Sequence, residues 1–214
     1  MKSKRKITLI LSVLFFCLFV LWTLALRFVD VGTIGPQDTS VGFATLNSAF
    51  RDFLGSRMYL YTITDWLGLV PIAVCISFAA WGAVLLFKRK SLFLVDRDML
   101  FLGIVYISVI AVYIFFEKYV VNYRPILING VLEASYPSST TLLTLTVMPT
   151  ANIKLNQHIK NTKPKAVLTA VFTLFTAFML AARVLSGVHW ITDIIGGCLF
   201  ALSVVLLYGY AVKK

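Results

Sequence analysis

Ala181-Ala182-Arg183-Val184-Leu185-Ser186-Gly187-Val188-His189-Trp190-Ile191-Thr192-Asp193 joins two long apolar runs, residues 166–183 and 190–211. Two such runs with a short link read as two membrane-spanning helices and a tight turn. An arginine, a histidine and an aspartate sit at that turn. Ionisable residues at the edge of a span are costly and mark functional sites by default. Asp193 follows His189 by four residues, so on one helix they would share a face. A carboxylate beside an imidazole fixes its tautomer and stabilises its cation. The arginine adds a planar fork of donors suited to phosphate. A plainer reading fits the stretch as well: interfacial His and Arg, with Asp193 as a helix-start charge.

The rest of the chain repeats the apolar pattern. Of its 214 residues 59% are hydrophobic, and the mean hydropathy is +0.88. The further runs are 7–26, 66–87, 99–117 and the less apolar 138–152. The Thr and Ser of the last suit a helix buried among others rather than facing lipid. The first run lacks a small-x-small cleavage site and reads as an uncleaved span. The expected architecture is all-α: one membrane-embedded domain over residues 1–214, with six transmembrane helices. Residues 41–60 mix polar and apolar positions at helical spacing, as a helix lying on the membrane surface would. Asp65 would be a charge at the start of the run that follows.

A net charge of +11 would point to nucleic acid in a soluble protein. Here most of the basic residues fall in four segments, 1–6, 88–98, 153–165 and 212–214. Six spans put these four on one side, with both termini cytoplasmic. Nucleic acid is therefore not an expected partner. Cys17, Cys75 and Cys198 all lie in apolar runs without metal-ligand spacing, as packing residues do.

In this topology Lys118 and Arg124, Pro137 to Thr140, and Arg183 to Asp193 all fall at the outer ends of spans. Singly, each has an ordinary explanation. Lys118 could snorkel, Arg124-Pro125 could be a turn, and Pro137-Ser138 could start a helix with its hydroxyls capping free N–H groups. Three polar clusters on one face favour a site, and a helix start is a ready anion seat.

Arg124-Pro125, Pro137-Ser138 and the Arg183/His189/Asp193 spacing resemble the three-part signature of the type-2 phosphatidic acid phosphatases. That superfamily includes six-helix lipid phosphatases, bacterial acid phosphatases and vanadium haloperoxidases. The likeness covers residues of about 118–193, with Gly187 also in place. The resemblance implies that His189 is the nucleophile, forming a phosphohistidine that water hydrolyses. It implies that Asp193 orients it, and that Arg124 and Arg183 clamp the phosphoryl oxygens with Lys118 assisting. Ser138, with Ser139, Thr140 and the backbone N–H groups there, would complete the anion pocket. No metal or cofactor is implied, and the partners would be a lipid phosphate or diphosphate and the surrounding lipids. A multi-pass protein of a bacterial plasma membrane, its site facing outward, is the expected setting.

The chain departs from the signature in three places. The family's lysine stands seven residues before the arginine, where this chain has Glu117, and Lys118 is one position off. One position turns a helical side chain by about 100°. The family's Pro-Ser-Gly-His is Pro137-Ser138-Ser139-Thr140, so its general-acid histidine is replaced by Thr140. The one other histidine, His158, is expected on the opposite face. The family's serine before the arginine is Ala182. An alkoxide leaving group needs a proton, and that help is worth about 10² to 10⁴ in rate. A phosphate leaves without it. The sequence therefore points to a lipid diphosphate, such as undecaprenyl diphosphate, over phosphatidate. Two other readings compete: a relative that binds phosphate headgroups without turnover, and a small transporter. Transport sites gather at mid-membrane, unlike these clusters.

Overall fold

The computed structural model describes residues 2–212. Met1 and the terminal pair Lys213-Lys214, on which the expectation for the termini partly rests, lie outside them. The helices are α1 (Lys2–Phe28), α2 (Ala44–Leu54), α3 (Met58–Leu67), α4 (Leu69–Arg89), α5 (Arg97–Lys118), α6 (Ser139–Asn156), α7 (Thr162–Ser186) and α8 (Ile191–Val212). A two-residue antiparallel pairing, β1 (Gly32–Thr33) with β2 (Ser40–Val41), folds the link between α1 and α2.

Among the described residues five stretches are long and apolar enough to cross a membrane: residues 5–28, 58–89, 97–118, 162–186 and 191–212. The protein is thus a helical, multi-pass membrane protein. The six-span expectation differs at α6, which is not among the five. Its threonines and asparagines, with Lys154, make it too polar to qualify on composition. Instead α6 is wrapped by α4, α5, α7 and α8, which bury Thr141, Thr144, Thr146 and Thr150.

The helix expected within residues 41–60 is α2, which stops at Gly55. Asp65 does not open a helix: it lies inside α3. The interruption comes later, at Gly68, between α3 and α4. Pro71 has no N–H to give the carbonyl of Leu67, and the ladder breaks there.

Helix α8 is the centre of the bundle. In its span window 56% of residues are buried, against 11–28% in the other four. Phe200, Val204 and Tyr208 share one buried apolar cluster with Leu142, Val147 and Ala151 of α6 and Leu102 and Val105 of α5. On its other side α1 docks through a reciprocal pair, Ser12 Oγ to the Ser203 carbonyl and Ser203 Oγ to the Ser12 carbonyl. One end of this central helix carries Asp193, so the packing of the whole bundle positions that end.

Candidate active site

Two glycines let three chain segments meet at the start of α8. Gly187 ends α7 with φ +66°, in the left-handed region. A Cβ there would also lie 2.2 Å from the Gly55 carbonyl oxygen. The link between α2 and α3 therefore lies against the α7–α8 turn. Arg57 fastens it, its N–H to the Ser186 carbonyl (2.9 Å) and its guanidinium to that of Leu185 (3.2 Å). Gly196, one turn into α8, makes room for the Tyr136 ring, which a Cβ would meet at 2.3 Å. Tyr136 is held there by Thr23 of α1 (2.6 Å) and the rings of Phe19 and Phe116. The loop before α6 is thus pressed onto α8.

That loop is an irregular hairpin. Ile128 and Val131 exchange both backbone hydrogen bonds (3.0 and 2.9 Å) around Asn129-Gly130. Both turn residues have positive φ, 51° and 78°, as the preferred two-residue hairpin turn requires. The fold-back sets Arg124 beside Glu133 and Asn122 beside Ser135 through backbone bonds of 3.0 and 2.9 Å.

His189 lies in the turn before α8, not on the helix, and is 6% exposed. The expected direct pairing with Asp193 on one helical face does not occur. Ser135 stands between them. Its hydroxyl donates to Asp193 Oδ2 and lies 2.9 Å from His189 Nδ1. The Ser135 carbonyl lies 3.1 Å from the same nitrogen. A carbonyl only accepts, so Nδ1 carries the proton. The lone pair then belongs to Nε2, which faces Arg124 Nη1 at 3.4 Å.

Asp193 is fully buried. Its Oδ1 accepts from Asn122 Nδ2 (2.9 Å), and its Oδ2 accepts from Ser135 and from the Trp190 N–H (3.0 Å). The last bond is half of a capping box, an N3 carboxylate reaching back to the N-cap. The carboxylate therefore starts α8 and anchors the site at once, which unites the two readings of its sequence position.

Arg183, 1% exposed, gives Nη1 to Thr64 Oγ1 of α3 at 2.9 Å. Its Nε is buried without a partner. Arg124 Nε lies 3.0 Å from Glu133 Oε2 but misaligned for a hydrogen bond. The guanidinium carbons of Arg183 and Arg124 sit 5.0 and 5.8 Å from the centre of the Tyr61 ring, so one aromatic face gathers both cations. Burial, then Arg124 and Arg183, hold the His189 imidazole well below its usual pKa, against the pull of the Ser135 carbonyl. It is a neutral base at neutral pH.

Ser138 is fully buried at the head of α6, but its Oγ accepts from Thr141 Oγ1 (3.0 Å) rather than capping a backbone N–H. Its own N–H is taken by the Asp193 carbonyl (3.1 Å). Ser139 lines a small cleft with His189, Arg124, Ser135 and Glu117. Thr140 is half-buried and outside that lining. Lys118 is not brought in. It is exposed, with its ammonium 5.7 Å from the Tyr119 ring centre. The 100° step along α5 aims Glu117 into the cleft and Lys118 out of it. A second small cleft reaches His189 from the other side, lined by Asn47, Arg51 and Gly55. Among the described residues no three His, Cys, Asp or Glu side chains gather as a metal site needs.

Sequence reasoning missed Ser135, Asn122, Tyr61, Thr64 and Glu133. For the first two a signal was present: Asn129-Gly130 between two short runs is a hairpin mark. It would have brought Asn122 back toward residues 135–137, but would not have shown the two-residue register shift between the Ile128–Val131 and Tyr123–Ala134 bridges that sets Asn122 beside Ser135. Tyr61 and Thr64 come from a helix far away in the chain and carry no local mark.

The fold matches the crystal structure of a transmembrane PAP2 type phosphatidylglycerolphosphate phosphatase from Bacillus subtilis. The TM-score is 0.66 at 18% identity, over 95% of this chain and 98% of that one. No curated protein matches the chain. The sequence model of the PAP2 superfamily matches residues 108–214, which hold Arg124, Ser135, Ser138, Ser139, Arg183, His189 and Asp193. The chain belongs to the PAP2 superfamily.

Proposed function

We propose that the protein is an integral membrane lipid-phosphate phosphatase working through a phosphohistidine on His189. One observation carries the reading. The imidazole is neutral, its Nδ1 proton is tied to Ser135, and its free Nε2 lone pair sits beside two buried guanidiniums. A nucleophile among fixed positive charge is what phosphoryl transfer needs, since the charge spreads over the equatorial oxygens.

In the first step Nε2 attacks the terminal phosphorus and the bond to the leaving oxygen breaks. Arg124 and Arg183 take the equatorial oxygens, and the unpartnered Nε of Arg183 is a donor ready for one of them. Ser139 and the free N–H groups at the head of α6 add donors. The imidazolium that forms is stabilised through Ser135 by Asp193, a two-link relay. In the second step water attacks phosphorus, the P–Nε2 bond breaks, and phosphate leaves.

Thr140 cannot protonate a leaving alkoxide at neutral pH. The favoured substrate is therefore a lipid diphosphate, undecaprenyl diphosphate being the natural case, whose leaving group is a phosphate. The basic segments 88–98 and 153–165 lie at the ends of α4 to α7 remote from His189. By the positive-inside rule this supports a site on the outer face of a plasma membrane, with α6 as the sixth crossing.

Purified protein in detergent tests this with undecaprenyl diphosphate, phosphatidate and phosphatidylglycerolphosphate, the last named for the structural neighbour. Phosphate release that is fastest from the diphosphate and lost in His189→Ala is expected. Faster turnover of either monoester would overturn the substrate preference. Headgroup binding without any release would make the protein a binder.

A further inference from the structure

Hydrolysis of a phosphohistidine needs a group that takes a proton from water, and the histidine that serves the family's acid–base chemistry is Thr140 here. We infer that Glu117 is the general base of the second half-reaction, a role that rests on the phosphohistidine reading above. Glu117 stands on the last turn of α5 and lines the cleft that also holds His189, Arg124, Ser135 and Ser139. The position is the one at which the signature carries a lysine, so the chain has exchanged a cation for a carboxylate at the phosphate's edge.

Elimination leaves no other candidate in the cleft. Arg124 is a cation, and His189 is itself phosphorylated at that stage. Ser135 and Ser139 are hydroxyls, and Tyr113 and Tyr136 are phenols. Asp193 is buried and already accepts three hydrogen bonds. Glu133 is paired with Arg124 and does not line the cleft. Glu117 is exposed at the rim, where it can pass a proton to bulk water.

The step balances without a further reactant. The water oxygen forms a bond to phosphorus as the P–Nε2 bond breaks. The electron pair returns to Nε2, and the water proton goes to the Glu117 carboxylate and then to solvent. The first half-reaction with a diphosphate needs no such help. A carboxylate here is therefore consistent with a substrate whose leaving group departs unprotonated. It also separates the two halves: loss of Glu117 should slow the second and spare the first.

The test uses the full-length protein, a lipid diphosphate labelled in its terminal phosphate, and rapid quenching. In Glu117→Gln, labelling of the enzyme should proceed as in wild type and then accumulate toward one phosphate per chain. Phosphate release should fall about 10² to 10⁴-fold, the range of general base catalysis. Formate should restore part of the release by Glu117→Ala, which a merely structural role would not allow. Lys118→Gln, on the neighbouring residue outside the cleft, should behave as wild type. Wild-type release by Glu117→Gln with no accumulated label overturns the inference. So does release by Glu117→Ala that formate leaves unchanged. If wild type neither becomes labelled nor releases phosphate, the phosphohistidine reading itself fails and the inference falls with it.

Discussion

The two ends of the helix bundle both bury positive charge, and they treat it differently. At the end away from His189, Lys154 of α6 is 2% exposed and its ammonium is bonded to Asp98 of α5. The ring of Trp81 covers it at 5.2 Å, and beside it Arg89 holds Asp96 (2.8 Å). Each of these two cations has its own carboxylate. At the His189 end two guanidiniums crowd one neutral imidazole. Arg183 has a hydroxyl and a ring for company and an Nε with nothing. Arg124 has only the part-exposed Glu133 beside it at 3.0 Å, and the buried carboxylate nearest the imidazole, Asp193, is engaged with Asn122, Ser135 and Trp190 instead. A closed ion pair holds helices together. Cations with spare donors around a free lone pair are arranged for an anion that arrives from outside.

The sharpest break of this comparison is His189→Ala, expected to lower phosphate release by about 10³-fold or more, as loss of the proposed nucleophile would. Next is Arg183→Gln, expected to cost about 10² to 10³ in turnover, because a fixed donor to the transition state is lost. Its counterpart at the other end, Lys154→Met, should leave turnover per folded molecule unchanged. It should lower stability in detergent melting by up to about 3 kcal/mol, since it strands Asp98, whose side chain is only 23% exposed. Equal activity losses from the two variants would erase the contrast.

Ser135→Ala comes third. It removes the link between imidazole and carboxylate but keeps the backbone carbonyl at Nδ1. Turnover should fall about 10- to 10²-fold with little change in KM, the usual cost of losing an outer orienting partner. Ser135→Thr should recover part of it. A KM effect alone would make Ser135 a binding residue.

The smallest effect is in pH dependence. The chain has two histidines, so labelled imidazoles can be followed one by one, with His158→Gln for assignment. His189 should stay neutral and Nδ1-protonated below pH 6.5, its ordinary value. The folded pKa is depressed, so on acidification the unfolded chain takes the proton first. Folding stability should therefore fall below about pH 6.5, by roughly 1.4 kcal/mol per unit until the folded value is reached. An imidazole that titrates at or above pH 6.5 would contradict the burial and the two-arginine surroundings.

Hydropathy and charge made the membrane helices legible, because lipid imposes length and apolarity on each span separately. The exception was α6: a helix buried by its neighbours answers to them and not to lipid. Arg124, Arg183, His189 and Asp193 were legible because they come from short motifs at span ends. What joins them was not. Spacing put His189 and Asp193 on one helix, yet Gly187 ends α7 so close to α8 that the histidine stays in the turn. The connection then passes to Ser135, which only the Asn129-Gly130 hairpin brings near. The direction of Glu117 against Lys118 follows from the phase of α5, which the arithmetic of 100° per residue raised and only the packed helix decided. Tyr61 and Thr64 depend on α3 folding against α7, a contact between residues more than a hundred positions apart.

The most direct test of the account is to quench the enzyme during turnover of a lipid diphosphate and map the phosphorylated residue. Phosphate on Nε2 of His189, absent from Ser135→Ala only in proportion to its slower labelling, is the expected result. Phosphate on His158, on Nδ1 of His189, or on no residue while phosphate is being released would contradict it.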